Sequence, residues 1–369
     1  RRVLFRSRLD PAVQRALQAL GCADADQLRI GGLKARDLLQ QYGSPLYVFD
    51  LDLVRSRALA VRAGLGSRIG LLWSIKANPN LAVTNTLRAA GCGIEIASLG
   101  ELEVALRAGH DAAAIRFAGP GKTDSELDTA VRQGIGCVHA ESADEVDALA
   151  DAARRHQRRQ SIAVRVNIPG ELHGARLRMS GASSRFGVDA EQVPTLLRRI
   201  HDDPSLELRG LHAYSGTQGF DASAFVQQAP RLAELADRWE RELHVPLREL
   251  DLGGGFGMAH YLGDPEFDFA AAMQGLSQLL ARHDRPDRRW FVELGRYLVA
   301  PAGVYLATVT RSKVSGGTQH HVLDGGLHHC GIASGQGTVL RRPPLVVAAG
   351  ALARSEEHTS ELQSPYVIS

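Results

Sequence analysis

The sequence has few cysteines, no long apolar run and no excess of one charge. Its four cysteines lie far apart and form no Cys-x-x-Cys pair, which argues against a disulfide framework and favours reduced thiols in the cytoplasm. No apolar stretch approaches the roughly 18 residues that a transmembrane helix requires. Lys and Arg total 43 and Asp and Glu total 41, so no net charge draws the chain to nucleic acid or membranes.

Metal and targeting signals are also missing. His320-His321 and His328-His329 are pairs of adjacent histidines, but neighbours on an extended segment point to opposite faces. No carboxylate cluster joins them, so we predict no metal site. The first residues form a charged, Ala-rich segment and not the pattern of a signal peptide.

Both ends of the chain differ from the rest. Residues 1–7 and 355–369 resemble translated sequencing-adapter sequence and share no pattern with their neighbours. We therefore interpret them as artefacts and leave them out of the fold prediction. On this interpretation the native chain starts near Arg8 and breaks off near Arg354.

Strand-like and helix-like segments alternate between residues 70 and 294. The predicted strands are 70–75, 93–97, 115–118, 137–138, 162–166, 208–213, 247–252 and 290–294. The predicted helices between them are 80–90, 99–108, 125–133, 143–156, 192–200, 222–243 and 269–283. Eight such units predict an α/β fold, a (β/α)₈ TIM barrel over residues 51–300. A doubly wound open sheet is the alternative, and eight repeats favour closure.

The flanking segments have a different pattern. Residues 8–50 predict helices over 10–42 and a strand at Pro45–Phe49, which we expect to pack on a β domain. Residues 301–354 show strand-like runs at 304–310, 320–323 and 345–349 without helices. Three strands are few for a self-sufficient sheet, so we predict a partial, truncated C-terminal β domain.

Candidate functional residues lie where the predicted barrel strands end. The C-terminal ends of the strands form the active-site rim of such a barrel. Lys76 follows the first strand and Glu95 ends the second. The other rim residues are Gly119 to Lys122, His139, Glu141, Arg165, Asn167, His212, Tyr214, Ser215 to Gln218 (with Thr217), Gly253, Gly254, Gly255, Glu293, Gly295 and Arg296.

This rim favours a phosphorylated cofactor. Three consecutive glycines let backbone N–H groups approach an anion, and barrels often hold phosphate after strands seven and eight. Arg296 and Thr217 at the same end favour phosphate binding over a plain flexible turn. A lysine facing this rim, with the carboxylate of Glu293, suggests pyridoxal phosphate. A phosphosugar would satisfy the glycines but would not require Glu293.

The motifs together resemble the fold-type III pyridoxal-phosphate decarboxylases, the group of diaminopimelate and ornithine decarboxylases. The resemblance runs from about Gly32 to Gly350 and depends on the order and spacing of short motifs. They are Tyr47-Val48-Phe49-Asp50, Ser74-Ile75-Lys76-Ala77-Asn78, Glu95-Ile96-Ala97-Ser98, Gly253-Gly254-Gly255-Phe256 and Glu293-Leu294-Gly295-Arg296. The stretches Arg165 to Val188 and Leu323 to His329 are similar to a subgroup associated with exosortase and exopolysaccharide gene clusters.

The resemblance implies an alanine-racemase-like barrel and specific roles. Lys76 would form the Schiff base with pyridoxal 5′-phosphate, Glu293 would hold the pyridine nitrogen, and Glu95 would lie near the Schiff base. The phosphate would contact Gly253 to Gly255, Thr217 and Arg296. The implied reaction is decarboxylation of an L-amino acid in a cytoplasmic homodimer that shares its active sites between subunits.

The chain departs from the family pattern in two ways. Tyr214 stands where the family places a histidine that stacks on the cofactor ring. The family's C-terminal cysteine, acidic residue and tyrosine have no counterpart before Arg354, so we expect part of a composite site to be missing. Two alternatives stay open: a non-catalytic or regulatory homologue that binds the cofactor, and an amino-acid racemase or epimerase. Racemases usually place an arginine at the pyridine nitrogen, which Glu293 argues against.

Overall fold

The computed structural model describes residues 11–22, 28–168, 175–178, 184–214, 216–261, 264–283, 285–326, 328–330 and 367–368. The chain divides into two compact units. The smaller comprises Arg1–Val54, Met258–Glu266 and Val299–Ser369, and the larger comprises Arg55–Gly257 and Phe267–Leu298.

Strands and helices are numbered here in chain order. The strands are β1 (Arg29–Ile30), β2 (Leu33–Lys34), β3 (Leu46–Phe49), β4 (Ile69–Ser74), β5 (Gly93–Ile96), β6 (Ile115–Phe117), β7 (Cys137–Ala140), β8 (Gln160–Asn167), β9 (Ala175–Arg178), β10 (Val188–Asp189), β11 (Leu206–His212), β12 (Gly216–Gly219), β13 (Glu249–Gly254), β14 (Arg289–Leu294), β15 (Gly303–Leu306), β16 (Val309–Ser315), β17 (Thr318–Leu323) and β18 (Val367–Ile368). The helices are α1 (Pro11–Ala19), α2 (Ala35–Tyr42), α3 (Leu51–Leu65), α4 (Leu81–Ala89), α5 (Leu99–Arg107), α6 (Asp124–Gln133), α7 (Ala143–Arg155), α8 (Val193–Asp202), α9 (Ala222–Leu243), α10 (Phe269–Arg282) and α11 (Arg296–Val299).

Eight strands of the larger unit form a closed parallel barrel. Their order around the barrel is β4, β5, β6, β7, β8, β11, β13 and β14. The barrel closes because β14 pairs in parallel with β4, with Val292 opposite Leu71, and β7 pairs in parallel with β8. The predicted (β/α)₈ barrel is confirmed, and the open doubly wound sheet is wrong.

Local sequence explains how an outer helix covers this barrel, with α6 as the example. Thr123 caps its start, and a capping box joins Thr123 to Glu126 through reciprocal hydrogen bonds. Leu127, Ala130 and Val131 are buried, and their three- and four-residue spacing places them on one face. The polar cap therefore satisfies the backbone at the helix start, while the apolar stripe packs inward.

The sequence prediction did not include α3. Val54, Ala58, Val61 and Leu65 are buried at helical spacing in this segment. Asp50 caps the helix, because its Oδ1 accepts hydrogen bonds from the backbone N–H groups of residues 52 and 53. The helical signal was thus present, but the cap directly follows β3, and no helix was predicted there.

The prediction of helices throughout 10–42 is also wrong in part. β1 and β2 form an antiparallel hairpin with Ile30 opposite Leu33. The two residues between them, Gly31 and Gly32, have φ values of 56° and 80°. Positive φ at both positions is what a two-residue type I′ hairpin turn requires, and Gly-Gly is a recognised sequence signal for it.

The smaller unit contains a short antiparallel sheet and a separate hairpin. β15 pairs with β3 and with β18, and β16 pairs with β17. Leu17 of α1 and Val304 of β15 belong to one hydrophobic cluster. The strand predicted at 345–349 lies outside the described residues. Residues 1–7 also lie outside them, and of residues 355–369 only the two residues of β18 are described.

Two further observations concern the sequence predictions. None of the helices in the described part of the chain has the length and hydropathy needed to cross a membrane. His320 and His321 lie in β17 as the extended-segment argument requires. His328 and His329 instead lie in a turn, with ring centroids 4.0 Å apart, so opposite-facing side chains were the wrong expectation for that pair.

Candidate active site

Lys76 and Glu95 form an ion pair at the rim of the barrel. Lys76 lies in a 3₁₀ turn, Ile75–Ala77, directly after β4, and Glu95 lies in the adjacent strand β5. Lys76 Nζ lies 3.0 Å from Glu95 Oε1 and 3.2 Å from Oε2. The Ser74 hydroxyl donates a further hydrogen bond to Oε2. Half of the Lys76 side chain is exposed, whereas Glu95 is buried, so the amine is the accessible member of the pair.

The pKa of each partner is raised above its ordinary value, for different reasons. Burial lowers the pKa of Lys76, but the charges of Glu95 and Glu293 outweigh burial and raise it overall. Burial raises the pKa of Glu95, and the attraction of Lys76 only partly opposes this effect. The pair can therefore exchange a proton between a lysine and a carboxylate that both favour holding it.

Glu293 lies in β14 and faces two buried histidines. Its Oε2 is 3.6 Å from His212 Nε2, and its Oε1 is 3.9 Å from His139 Nδ1. Burial acts to raise the pKa of Glu293, but His212, Lys76 and Arg165 lower it to about 2. Oε1 is buried and has no hydrogen-bond partner among the described residues. Glu293 is thus an ionised carboxylate with a free acceptor site.

Arg165 is held at the rim by a buried carboxylate. Its Nη1 donates to Glu141 Oε1 at 2.8 Å. Glu141 also accepts hydrogen bonds from the backbone N–H groups of Gly119 at 3.0 Å and Gly187 at 2.9 Å. The guanidinium carbon lies 5.8 Å from the centroid of the Tyr214 ring. Glu141 therefore ties Arg165 to two loops of the barrel and fixes it beside Tyr214.

Tyr214 lies close to the amine of Lys76. Lys76 Nζ is 6.0 Å from the centroid of the tyrosine ring. Burial raises the pKa of Tyr214, although Lys76 and a hydrogen bond to Thr217 act in the opposite direction. The ring is therefore a neutral aromatic surface next to the lysine, and Thr217 fixes its hydroxyl.

The glycine triplet is required by close backbone approaches. A side chain at Gly254 would collide with the carbonyl of Glu293, and one at Gly255 would collide with the carbonyl of Gly216. Gly253 has a φ of 60°, and a Cβ there would lie 2.7 Å from the carbonyl of Ala213. The triplet is thus a packed element between β11, β12 and β14 and not a plain flexible turn. Because all three residues are glycines, their backbone carries no side chains at the rim.

The last two predicted residues follow β14. A Cβ on Gly295 would lie 3.0 Å from Ala77 Cβ and 3.3 Å from Ser74 Cβ, so this glycine lets the end of β14 approach the Lys76 turn. Arg296 is exposed and begins α11. The structure therefore brings Lys76, Glu95, Arg165, Tyr214 and Thr217 together, and it places Arg296 at the surface.

Several buried polar residues near the site were not predicted to have a role. Arg116 Nη2 forms an ion pair with Glu249 Oε2 at 2.8 Å, and its guanidinium carbon lies 3.9 Å from the Phe291 ring centroid. Burial and the charge of Glu293 raise the pKa of Asp251 to about 7. The sequence signal that could have found them is a charged residue within an otherwise apolar barrel strand. Inward and outward positions alternate along such a strand, so a charged residue at an inward position points into the barrel.

A family profile matches the whole of this barrel. The profile describes the pyridoxal-binding domain of pyridoxal-dependent decarboxylases and matches residues 51–300. The chain belongs to the pyridoxal-dependent decarboxylases. Pyridoxal phosphate is the cofactor of this family, which confirms the cofactor and the enzyme class predicted from the motifs.

Curated relatives and solved structures agree with this assignment. L-glutamyl-[BtrI acyl-carrier protein] decarboxylase of Niallia circulans is 30% identical over 307 residues, which are 82% of this chain and 72% of that protein. Diaminopimelate decarboxylase of Halalkalibacterium halodurans is 30% identical over 311 residues, 81% of this chain and 71% of the relative. A mutant diaminopimelate decarboxylase from Helicobacter pylori, complexed with L-lysine, superposes with a TM-score of 0.73 at 25% identity, covering 79% of this chain and 73% of that one.

Three features of the barrel fit pyridoxal phosphate. Lys76 offers an accessible amine, and Glu293 offers a buried, ionised carboxylate oxygen without a partner in the described part of the chain. Gly253 to Gly255 present backbone without side chains at the same rim. An amine for the aldehyde, a carboxylate for the ring nitrogen and bare backbone for the phosphate are the three contacts that this cofactor needs.

Proposed function

We propose that this decarboxylase acts on an L-amino acid, with Lys76 as the residue that binds the aldehyde of the cofactor. The observation that carries the proposal is the pairing of two buried carboxylates around one accessible lysine. Glu95 contacts the amine directly, while Glu293 is ionised and has a free oxygen. A lysine alone would fit many sites, whereas this arrangement matches the two ends of a pyridoxal ring.

Glu293 is the residue that we assign to the pyridine nitrogen. When bound, pyridoxal phosphate supplies an electron sink for the carbon that loses its carboxylate. The low pKa of Glu293, which results from His212, Lys76 and Arg165 overcoming burial, keeps it ionised. An ionised carboxylate holds a proton on the ring nitrogen, and this is what separates the proposal from an arginine-based racemase site.

Glu95, which also accepts a hydrogen bond from Ser74, is the group that we assign to accept the proton of Lys76. The lysine must lose a proton before its nitrogen can react, and its pKa is raised. Glu95 accepts hydrogen bonds from Lys76 Nζ at 3.0 Å and 3.2 Å, so the proton has an acceptor in contact. Because burial raises the pKa of this carboxyl group, Glu95 is a better proton acceptor than an exposed glutamate.

The remaining predicted residues define the rest of the cofactor site. We assign Tyr214 to the face of the ring, Gly253 to Gly255 with Thr217 to the phosphate, and Arg165 to the region beside Tyr214. Gly295 has the role of allowing the close approach of the Lys76 turn. Arg296, which is exposed at the start of α11, would contact the phosphate only from the edge of the site.

The activities of the relatives support a substrate class. One relative decarboxylates a glutamyl group on an acyl-carrier protein, and another decarboxylates diaminopimelate. We propose an amino acid with a second polar group, either free or attached to a carrier. The exopolysaccharide-associated subgroup, a homodimer with shared sites and a cytoplasmic location are further parts of this proposal. The last is supported by four cysteines that are all free and buried.

One observation favours a second function, that of a cofactor-binding homologue without turnover. Tyr214 replaces a titratable histidine on the ring, and burial raises the pKa of its hydroxyl, so it cannot act as a proton donor and acceptor near neutral pH as histidine does. On this alternative the chain binds pyridoxal phosphate but releases no CO₂.

The test combines cofactor trapping with a CO₂ assay. The protein is incubated with pyridoxal phosphate, reduced with borohydride and mapped by peptide mass spectrometry. CO₂ release is measured with free diaminopimelate, lysine, ornithine and glutamate and with a glutamyl group on an acyl-carrier protein. We expect the cofactor on Lys76 and CO₂ from at least one substrate, with both lost in Lys76→Ala.

A trapped cofactor without CO₂ from free or carrier-linked amino acids would favour the non-catalytic homologue. A cofactor trapped on another lysine would refute the role of Lys76. Lys34→Ala is a control, because that lysine is exposed in β2 and its removal should leave the adduct on Lys76.

A further inference from the structure

The interior of the barrel contains a cluster of buried polar atoms without partners. Among the described residues, both ring nitrogens of His139 and of His212, Oε1 of Glu293 and Oδ2 of Asp251 are buried and make no hydrogen bond. Buried polar groups in folded proteins are nearly always paired. Their concentration around Glu293 therefore indicates a functional constraint on these side chains.

The two histidines reach Glu293 from different strands. His139 lies in β7 and His212 in β11, with β8 between these strands. The imidazole rings stack with centroids 4.4 Å apart and planes at 28°. Each ring directs a different nitrogen to a different carboxylate oxygen, at 3.6 Å for His212 and 3.9 Å for His139. A movement on the order of half an ångström brings the His212 pair to hydrogen-bond distance.

A metal ion is the alternative occupant of this cluster. Within the described residues, the donor atoms of His139, His212 and Glu293 all lie within 4.8 Å of one another. A metal ion lies in the ring plane of each imidazole that binds it, about 2.1 Å from the nitrogen. Rings that stack 4.4 Å apart lie in planes only 28° from parallel, which suits two separate carboxylate oxygens better than one shared ion. The stacking therefore favours two hydrogen-bond donors over two metal ligands.

The surroundings of His139 keep it neutral and fix its position. Burial lowers its pKa well below the usual value, and the charges of His212, Arg116, Lys122 and Arg165 act in the same direction. Lys122 Nζ donates to the carbonyl of His139 at 3.0 Å, which anchors the backbone at the end of β7. A neutral imidazole at this position carries one N–H. It adds no positive charge of its own beside the cofactor ring.

We propose that His139 and His212 are positioning residues for Glu293, each donating one N–H to a different carboxylate oxygen. The proposal rests on the assignment of Glu293 to the pyridine nitrogen. A carboxylate has about four acceptor sites, so both histidines can bind it and leave one site of Oε1 for the ring N–H. Held by two donors, the carboxylate stays ionised and its plane is fixed relative to the ring.

The test compares apolar and conservative replacements at the two histidines. His139→Leu and His212→Met remove the donors, whereas His139→Asn and His212→Gln place an amide N–H near the positions of Nδ1 and Nε2. The measurements are the ¹⁵N chemical shift of the ring nitrogen in ¹⁵N-labelled pyridoxal phosphate bound to the protein, together with kcat, KM and Tm.

We expect the apolar variants to move the ¹⁵N shift toward the unprotonated value. Their kcat should fall roughly 10- to 100-fold, as for partners that orient a functional group from behind, with a smaller change in KM. The amide variants should restore most of both readouts. In a Glu293→Gln background the histidine replacements should change kcat less than about twofold, since coupled residues are not additive.

The outcomes separate this inference from the proposed function. If Glu293→Gln moves the ¹⁵N shift but the apolar histidine variants do not, the histidines are structural and the inference is overturned. If Glu293→Gln itself leaves the shift unchanged, the assignment of Glu293 to the ring nitrogen is wrong. A visible Co²⁺ absorption band that disappears in His139→Leu would identify a metal site instead and would also overturn the inference.

Discussion

The pKa values of the two buried carboxylates of the site, Glu95 and Glu293, are shifted in opposite directions. Glu95 accepts hydrogen bonds from Ser74 and Lys76, yet burial raises its pKa. Glu293 makes fewer direct contacts, yet the charges of His212, Lys76 and Arg165 outweigh burial and lower its pKa to about 2. The pKa of each carboxylate is thus decided by the balance between burial and the charges and donors around it.

On the proposed function, this difference assigns the two carboxylates to different tasks. A pair of titratable groups whose pKa values are pushed apart commonly divides into a group that exchanges a proton and a group that keeps its charge. Glu95 belongs to the first kind, because it contacts the amine that must lose a proton. Glu293 belongs to the second kind, because a fixed negative charge is what a protonated ring nitrogen requires.

Replacing Glu293 by glutamine is the strongest way to break this comparison. The amide keeps the shape of the side chain but removes the charge, so the ring nitrogen loses its proton. We expect kcat to fall roughly 10²- to 10³-fold, the usual cost of removing one electrostatic group from an active site. The adduct trapped by borohydride on Lys76 should persist. Steady-state CO₂ release and peptide mapping check both parts.

A matched control for this variant is available in the same barrel. Glu249→Gln also removes a buried carboxylate, one that pairs with Arg116 at 2.8 Å. It should lower Tm, because a buried charge loses its partner, while kcat changes much less than in Glu293→Gln. Equal losses of kcat in the two variants would mean that any buried charge in the barrel matters and that Glu293 has no special role.

Glu95→Gln tests the other member of the comparison, with a smaller expected effect. The rate of cofactor capture should fall roughly 10²-fold, because Lys76 loses its proton acceptor. The charge of Glu95 raises the pKa of Lys76, so its removal lowers that pKa and the neutral amine forms at lower pH. The midpoint of the pH–rate profile for cofactor capture should therefore move to lower pH.

The control for Glu95→Gln lies six residues further along the chain. Glu101 instead accepts a hydrogen bond from the backbone N–H of Ala97 at 2.6 Å. Glu101→Gln should leave the midpoint of the profile in place. A midpoint that moves upward in Glu95→Gln, or moves equally in both variants, would contradict the electrostatic account of the lysine.

The comparison also shows which part of the site could be predicted from sequence. Lys76, Glu95 and Glu293 were predicted because parallel strands end at one rim of a barrel, so the residues at each strand end share that rim. The charge states were not predictable. They depend on contacts between distant segments, such as that of Glu141 with Gly187, 46 residues apart, and on the stacking of His139 with His212.

The fold was predictable to a similar extent and for a similar reason. Apolar strands and amphipathic helices carry local periodicities, and these predicted the barrel. The α3 helix and the β1–β2 hairpin were missed where a cap or a glycine turn adjoined another element, although Asp50 and Gly31-Gly32 carried the signals. The packing role of the glycine triplet was not predictable, because the colliding carbonyls belong to Glu293 and Gly216 on other strands.

Asp251 provides the smallest and most quantitative test, since it is a third buried carboxyl group close to the pair. Burial and the charge of Glu293 raise its pKa from 3.8 to about 7, so folding favours its protonated form. A carboxyl group with a raised folded pKa contributes stability that is present below the unfolded value and is lost as pH rises through the folded value. The native protein should therefore lose stability from this group between about pH 4 and pH 7.

Asp251→Asn should remove this loss, because the amide resembles the protonated acid and its oxygen can still accept from the Gly253 N–H, as Oδ1 does at 2.9 Å. We expect the Tm of the variant to match that of the native protein at about pH 3.5, below the unfolded pKa of 3.8, and to exceed it by an amount on the order of 5 °C at pH 8. Calorimetry of the cofactor-free protein across this range measures the difference. A constant difference for Asp251→Asn would mean that this carboxyl group is ionised throughout, and Glu293 would then share the barrel with a second permanent negative charge.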